Sequence, residues 1–165
     1  MAAFGRETLP AMWSLIYTIP GMPLVYTGDE IGLDHHIAFM ERDPIDWNSS
    51  DVDYRPLLAE LGAIRSENAA LHSGNYGGAI AFLDLGNENV FAFTRRVDGN
   101  AVICLFNLTG GETTVDVTGV FTGTDTVLLY GQGADVLKME DHCVSGYALE
   151  GEVTLKPWEF WIVVR

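Results

Sequence analysis

Two adjacent carboxylates, Asp29 and Glu30, are the first candidates for chemistry in this chain of 165 residues. They follow Gly28, at the end of a short apolar run. Cleavage of a glycosidic bond takes two carboxyl groups about 5 Å apart in a retaining mechanism, or about 6.5–9.5 Å apart in an inverting one. Neighbouring side chains on an extended chain point to opposite faces, so these two do not converge on one bond. We therefore expect both to be structural, as ion pairs or caps where the run ends.

A second candidate is the loop 42–47, which reads Arg-Asp-Pro-Ile-Asp-Trp. Arg42 and Asp43 can hydrogen-bond the hydroxyls of a sugar, and the ring of Trp47 can stack on its face. The alternative is an internal Arg–Asp pair with Trp47 buried beneath it. The residues alone favour that alternative.

Other signs of chemistry are weak. His35 and His36 are adjacent, but no Cys, His or Glu at zinc-ligand spacing accompanies them, so we expect a solvated loop pair and no metal site. No nucleophile elbow and no glycine-rich phosphate loop is present, and we predict no cofactor and no catalytic residue. Glycosylation patterns begin at Asn48 (Asn-Ser-Ser) and at Asn107 (Asn-Leu-Thr), and both are weak signals. Cys104 lies in an apolar run and reads as a small core residue, and a disulfide to Cys143 is not favoured.

Composition narrows the partners. The chain has 9 Lys and Arg against 23 Asp and Glu, a net charge of −14. Nucleic acids and anionic membrane surfaces are bound through clustered cations, so neither is an expected partner. No run of about 18 apolar residues predicts a membrane span. The N-terminus has no basic stretch followed by an apolar one, so no signal peptide is predicted in this chain.

The candidate residues are positioned by a helix, a buried strand and a second helix. Leu9, Met12, Trp13, Ile16 and Tyr17 recur at helical spacing, with Thr8 as a possible cap and Pro10 in the first turn. The helix should end near Thr18 because Ile19 precedes a proline. Met22–Thr27 is a continuous apolar run, which is typical of a strand in a parallel sheet. Residues 33–50 are predicted to form an irregular loop. A second helix follows, with Ser50, Asp51 or Asp53 as its cap. Its apolar face consists of Tyr54, Leu57, Leu58, Leu61 and Ile64.

Beyond Gly74 the pattern changes to short β-strands separated by turn residues. Asn87–Asn89 and Asp98–Asn100 are typical of hairpin turns. The strands are predicted at Ala79–Leu83, Val90–Arg95, Ala101–Leu108, Thr113–Thr118, Thr126–Tyr130, Glu152–Leu155 and Trp158–Val164. In the last of them, Trp158, Phe160, Ile162 and Val164 should share one face, and we expect its tryptophans to be buried. The fold class is therefore mainly β: an antiparallel β-sandwich over residues 74–165, preceded over residues 1–73 by a helix–strand–helix unit of a (β/α)8 barrel.

Several stretches together resemble the α-amylase family, glycoside hydrolase family 13. Residues 21–32, Gly-Met-Pro-Leu-Val-Tyr-Thr-Gly-Asp-Glu-Ile-Gly, resemble its eighth barrel strand, and the loop 42–47 resembles the loop that follows that strand. Residues 54–71 are similar to its last barrel helix. The strands that end in Leu155-Lys156-Pro157-Trp158-Glu159 are similar to its C-terminal antiparallel sandwich.

The resemblance implies the C-terminal part of a larger enzyme. In this family the nucleophile, the acid/base and the third essential carboxylate lie on earlier barrel strands, and no residue here matches those motifs. A whole barrel takes about 250 residues. The implied parent is a retaining hydrolase or transglycosidase of α-glucans, and this chain by itself is expected to be inactive. Arg42 and Asp43 would bind α-glucan or maltooligosaccharide only in the context of the full barrel. A periplasmic or extracellular parent would carry its signal upstream.

Two other functions stay open from the sequence. A stand-alone carbohydrate-binding sandwich would need exposed, coplanar aromatic rings, and maltooligosaccharides would then quench its tryptophan fluorescence. A self-contained enzyme would have to use Asp29, Glu30, Asp43 or Asp46. Hydrolysis of a nitrophenyl α-glucoside, abolished by Glu30→Gln, would establish that activity.

The barrel unit raises a question of partners. Without barrel neighbours, Met22–Thr27 would present unpaired backbone groups and apolar side chains. We expect the first 70 residues to pack on the sandwich. We also expect a second copy of the chain to cover the apolar surface that is left, which gives a homodimer.

Overall fold

A computed structural model describes residues 5–34, 37–38, 40–121, 126–132, 140–145 and 150–165, with only the backbone described for residues 126–132 and 140–145. The α-helices are α1 (Leu9–Thr18) and α2 (Arg55–Glu67), and short 3-10 turns occur at Arg6–Thr8, Asp29–Ile31, Ala69–Leu71 and Gly74–Tyr76. The strands are β1 (Ile80–Leu83), β2 (Val90–Val97), β3 (Asn100–Asn107), β4 (Thr113–Asp116), β5 (Thr126–Gln132), β6 (Glu140–Ser145), β7 (Glu152–Leu155) and β8 (Phe160–Val164).

Helix α1 has the predicted bounds but buries a different face. Pro10 lies in its first turn, and Ile19 leaves the helix with φ −71° and ψ 161°. The predicted cap Thr8 is wrong, because its hydroxyl donates to the carbonyl oxygen of Gly5 at 2.9 Å. Of the predicted apolar face only Trp13 is buried, with 7% of its surface exposed. The helix instead packs on its small residues, Ala11, Ser14 and Thr18. The two hydroxyls bond back to Pro10 and Ser14 carbonyls at 2.8 and 2.7 Å, so their burial leaves no unpaired donor.

Helix α2 confirms its predicted face, since Tyr54, Leu57, Leu58, Leu61 and Ile64 are all buried. Asp53, one of its three predicted caps, accepts the Arg55 amide at 3.1 Å. The two helices pack on each other and on the large sheet.

The run Met22–Thr27 is not a strand in this chain, which corrects the sequence prediction. The structure places none of these residues in a β-strand. Met22, Leu24 and Tyr26 are 86%, 77% and 62% exposed. A strand needs a neighbour to pair with, and the described part of the chain offers none at this position.

In the part of the chain that the structure describes, eight antiparallel strands form two sheets. The larger has the order β1-β2-β3-β8-β5-β6, and the smaller pairs β4 with β7. Every predicted strand is present, within a few residues. At the predicted β2–β3 hairpin, Asp98 and Gly99 have φ of 41° and 83° between the paired residues Val97 and Asn100, as in a type I′ turn.

The large sheet is the central layer, and its two faces bury separate cores. On one face Phe93, Phe106, Phe160 and Ile162 pack with α1 and α2. On the other face Ile103, Leu105 and Val163 pack with Val115 and Leu155 of the small sheet. Strand β3 is apolar at successive positions because both of its faces are covered. The first 70 residues thus pack on the sandwich as expected. The division at residues 73 and 74 stays a prediction.

Candidate functional site

An extended segment, residues 22–27, precedes the residues that the sequence singled out and lies against the core that α1 and α2 share with the large sheet. Exposure alternates along it: Met22, Leu24 and Tyr26 face solvent, while Pro23 and Val25 are half-buried. A period of two marks an extended backbone. Val25 packs against the core between the helices and the sheet. One face is therefore fixed to the protein, and the other is an apolar surface in water.

The backbone of this segment is also open. In the part of the chain that the structure describes, no hydrogen bond engages the main-chain groups of Met22, Leu24 or Val25. Free N–H and C=O groups beside apolar side chains make a template for an added strand. In its open backbone groups and apolar side chains the segment resembles the edge strand of a sheet, although it is not part of a sheet.

Asp29 and Glu30 hold the turn that ends this segment. Asp29 Oδ2 accepts the Tyr26 amide at 2.7 Å, and Glu30 Oε2 accepts the Gly28 amide at 3.0 Å. The turn needs glycine at both ends, because Gly28 and Gly32 have φ of 99° and 59°. A Cβ on Gly32 would also lie 2.9 Å from the Tyr54 ring. The predicted structural role of the two carboxylates is confirmed.

The loop 42–47 is largely exposed. Arg42 faces solvent, and Asp43 is half-buried and accepts the Ala38 amide at 2.9 Å. Asp46 accepts the Asn48 amide at 3.0 Å. Trp47 is 49% exposed, so the alternative with this ring buried beneath an Arg–Asp pair is wrong. The sugar-binding role of Arg42 and Asp43 stays a prediction, and His35 and His36 lie outside the described residues.

Two arginines that sequence reasoning missed hold the start of the segment. Arg65 of α2 donates to the carbonyl oxygens of Tyr17 at 2.5 Å, Ile19 at 3.4 Å and Gly21.

Arg95 of β2 donates to four carbonyl oxygens, those of Thr18 at 3.0 Å, Leu71 at 3.3 Å, His72 at 2.8 Å and Gly78 at 2.9 Å. Burial lowers the pKa of both guanidiniums. A charged residue at a core-facing position of an apolar strand was the available signal for Arg95.

The sandwich carries no exposed ring platform among its described tryptophans. Trp158 and Trp161 are half-buried, one on each side of the central sheet. Each ring packs on a core, as predicted, but neither reaches the predicted burial. Trp158 has φ 57°, so β8 begins at Phe160 and not at Trp158.

Cys104 is a buried free thiol whose pKa is raised to about 12 by burial. Asn107 is fully buried and so cannot accept a glycan in the folded chain.

Nothing in the described residues gathers three or more His, Cys, Asp or Glu side chains into a possible metal site. Among the helices that the structure describes, none combines the length and the apolar character needed to cross a bilayer.

Comparison with known proteins agrees with this architecture. The chain is 28% identical over 126 residues to the α-amylase MalA of Haloarcula japonica, a match that covers 75% of the chain. It is 31% identical over 139 residues to the 1,4-α-glucan branching enzyme GlgB of Corynebacterium glutamicum, which covers 78% of the chain. Each match spans 18% of the relative's own length.

Solved structures share the fold. The crystal structure of AmyP in complex with maltose superposes with a TM-score of 0.63 at 20% identity, covering 96% of this chain and 34% of that one. A variant of the trehalulose synthase MutB gives a TM-score of 0.65 at 16% identity, covering 96% and 38%. At these identities the likeness shows the fold alone.

A central antiparallel sheet with a small sheet on one face and two helices on the other is the C-terminal architecture of α-amylase family enzymes, glycoside hydrolase family 13. Residues 80–162 match the family model of the maltogenic amylase C-terminal domain, and the chain belongs to that family.

Proposed function

We propose that this chain is the C-terminal part of an enzyme that acts on α-glucans and that it has no glycosidase activity by itself. The observation that carries the proposal is the extent of the similarity. It covers the helix–segment–helix unit as well as the sandwich, yet only about a third of each solved structure. The relatives are named for action on α-glucans or as amylases.

The geometry of the carboxylates supports the absence of activity. Each acidic residue that a self-contained enzyme would need already accepts a backbone amide within its own loop: Asp29, Glu30, Asp43 and Asp46. These bonds give each of the four carboxylates a structural role in its own loop.

The purified chain should release no product from maltooligosaccharides or from a nitrophenyl α-glucoside. The measurement is product release above a blank without protein, with an α-amylase as positive control. Glu30→Gln should give the same background as the unmodified chain. Hydrolysis that disappears in Glu30→Gln would contradict the proposal, since it would make this chain an enzyme in its own right.

Within the parent, we propose that Arg42 and Asp43 contact the glucan at the end of the barrel strand formed by residues 22–27. Both lie in the exposed loop that follows that segment. A guanidinium supplies donors, and a carboxylate supplies acceptors, to the hydroxyls of a sugar.

For the isolated chain, we propose that a second copy covers the exposed face of residues 22–27. Two such segments can pair antiparallel about a two-fold axis, with Leu24 opposite Leu24 and Met22 opposite Tyr26. This arrangement gives the open backbone groups of Leu24 a partner and places the apolar side chains of the two copies beside each other.

The dimer is tested by sedimentation equilibrium over a range of concentrations. The unmodified chain should sediment as a dimer, and Leu24→Asp should sediment as a monomer, because antiparallel pairing would place two carboxylates against each other. Tyr76→Asp is the control, since Tyr76 is 82% exposed and lies outside the segment. An unmodified chain that remains monomeric at every concentration would rule out the dimer.

A further inference from the structure

The end of helix α1 is built without the usual glycine. Ile19 is extended and precedes Pro20, so no left-handed residue turns back to satisfy the last helical carbonyls. Unsatisfied carbonyls at a helix C-terminus carry partial negative charge and favour a cation. Here the cations come from two distant elements, Arg65 on α2 and Arg95 on β2.

Arg95 joins three separate stretches of chain. Its guanidinium lies in the face of β2 that points to the helices, where the side chain is only 2% exposed. From there it reaches Thr18 at the end of α1, Leu71 and His72 after α2, and Gly78 just before β1. Five N–H donors in a rigid fork suit such a set of carbonyls, and the three donors of a lysine do not reproduce it.

The position is also closely packed. A Cβ on Gly77 would come within 2.7 Å of the Arg95 Nη2 atom, and one on Gly78 within 2.5 Å of the Arg96 backbone nitrogen. The connection between the helices and the sandwich therefore lies directly against β2. Small residues at this point let the backbone approach the guanidinium.

We propose that Arg95 is a positioning residue, through which the sandwich fixes the direction in which the chain leaves α1 towards residues 22–27. Arg65 completes the arrangement by holding Gly21, one residue before the segment. Ser73 also donates to the Gly21 carbonyl oxygen, at 2.8 Å, and links the same turn to the connection after α2. The sandwich thus sets where the segment and its following loops are presented. Only the use of those loops on a glucan depends on the proposed function.

Hydrogen exchange measured by mass spectrometry on the whole chain tests this role. We call the stretches of chain that Arg95 connects the joint. Four amides there are hydrogen-bonded and therefore informative, those of Ile19, Leu71, His72 and Gly78. Strand β3 is the internal reference. In Arg95→Met, the exchange rate of the amides at the joint should increase, relative to the unmodified chain, by a factor roughly tenfold or more larger than the increase in β3. The reason is that the carbonyl groups at the joint lose the donor that they share. Arg95→Lys should give a smaller rise and so a partial rescue.

Arg96→Met is the matched control, since Arg96 is the next residue, is exposed, and donates to Thr94 within its own strand. It should leave exchange at the joint unchanged. A rise that is equal at the joint and in β3 would show that Arg95 only supports global stability, and it would overturn the proposal. So would unchanged exchange in both Arg95 variants. If Arg95→Met does not fold, Arg95→Lys against Arg96→Lys decides by the same comparison. None of these outcomes depends on whether the chain or its parent acts on a glucan.

Discussion

Phe106→Ala should lower the free energy of unfolding by about 3–5 kcal/mol, the range for removal of a fully buried aromatic ring. Phe106 is completely buried on the helix side of the central sheet. Its ring stacks between those of Phe93 and Phe160, with centroids 6.1 Å away on each side. The cavity would open inside a row of rings that crosses three strands, and their fixed backbones leave little room to close it.

The measurement is denaturant unfolding followed both by helical circular dichroism and by tryptophan fluorescence. Phe82→Ala is the control, because Phe82 lies at the edge of the same row but is 67% exposed. It should cost less than about 1 kcal/mol, as most surface substitutions do. Equal losses in the two variants would contradict the packing.

The same experiment examines the predicted division at residues 73 and 74. The core that contains Phe106 also contains Trp13 of α1 and Leu61 of α2. Helices and sheet should therefore unfold in one transition, seen identically by both probes. A separate, earlier loss of the helical signal would show that the two parts are independent folding units.

The sequence predicted the elements best where local pattern and final environment agree. Helix α2 has one apolar face, and it buries that face. Strand β7 has the predicted bounds, and Asp98 and Gly99 form the predicted turn. Strand β6 was missed because its sequence, Glu-Asp-His-Cys-Val-Ser, is mostly polar. Among the described strands it is the last of its sheet, next to β5, and natural strands carry charge at such an edge.

The remaining errors come from neighbours that a local pattern cannot contain. Residues 22–27 have the composition of a buried strand, but pairing depends on other chain segments, and here they stay exposed. Helix α1 buries Ser14 and Thr18 because their hydroxyls bond within the helix, which an apolar periodicity does not reveal. The joint around Arg95 gathers residues more than 70 positions apart, and no spacing rule connects them.

Asn107 gives the other large expected effect. The side chain is fully buried at the end of β3, and Nδ2 donates to the carbonyl oxygens of Gly111 at 2.7 Å, Lys156 at 2.8 Å and Leu155 at 3.3 Å. Its Oδ1 accepts the amide and the hydroxyl of Thr109, at 3.1 and 2.8 Å. One amide group therefore holds the loop after β3 against the turn before β8.

Asn107→Asp should destabilise the chain by about 3–5 kcal/mol at neutral pH, because it turns the donor into a buried negative oxygen facing three carbonyls. Burial and these carbonyls raise the pKa of the new carboxyl above its unfolded value of about 3.9. A raised folded pKa means that stability is retained below pH 3.9 and falls as the pH rises through the folded pKa. The deficit relative to the unmodified chain should therefore grow with pH and then level off.

Denaturant unfolding at a series of pH values measures that deficit. Asn48→Asp is the matched control, an exposed asparagine in the loop after residues 42–47 that makes the same change of charge. It should cost little at any pH, since a solvated carboxyl keeps its ordinary pKa. A deficit for Asn107→Asp that does not vary with pH would mean that the loss comes from shape alone. In that case the hydrogen bonds to the carbonyl groups of Gly111, Leu155 and Lys156 would not be the reason why this position needs an asparagine.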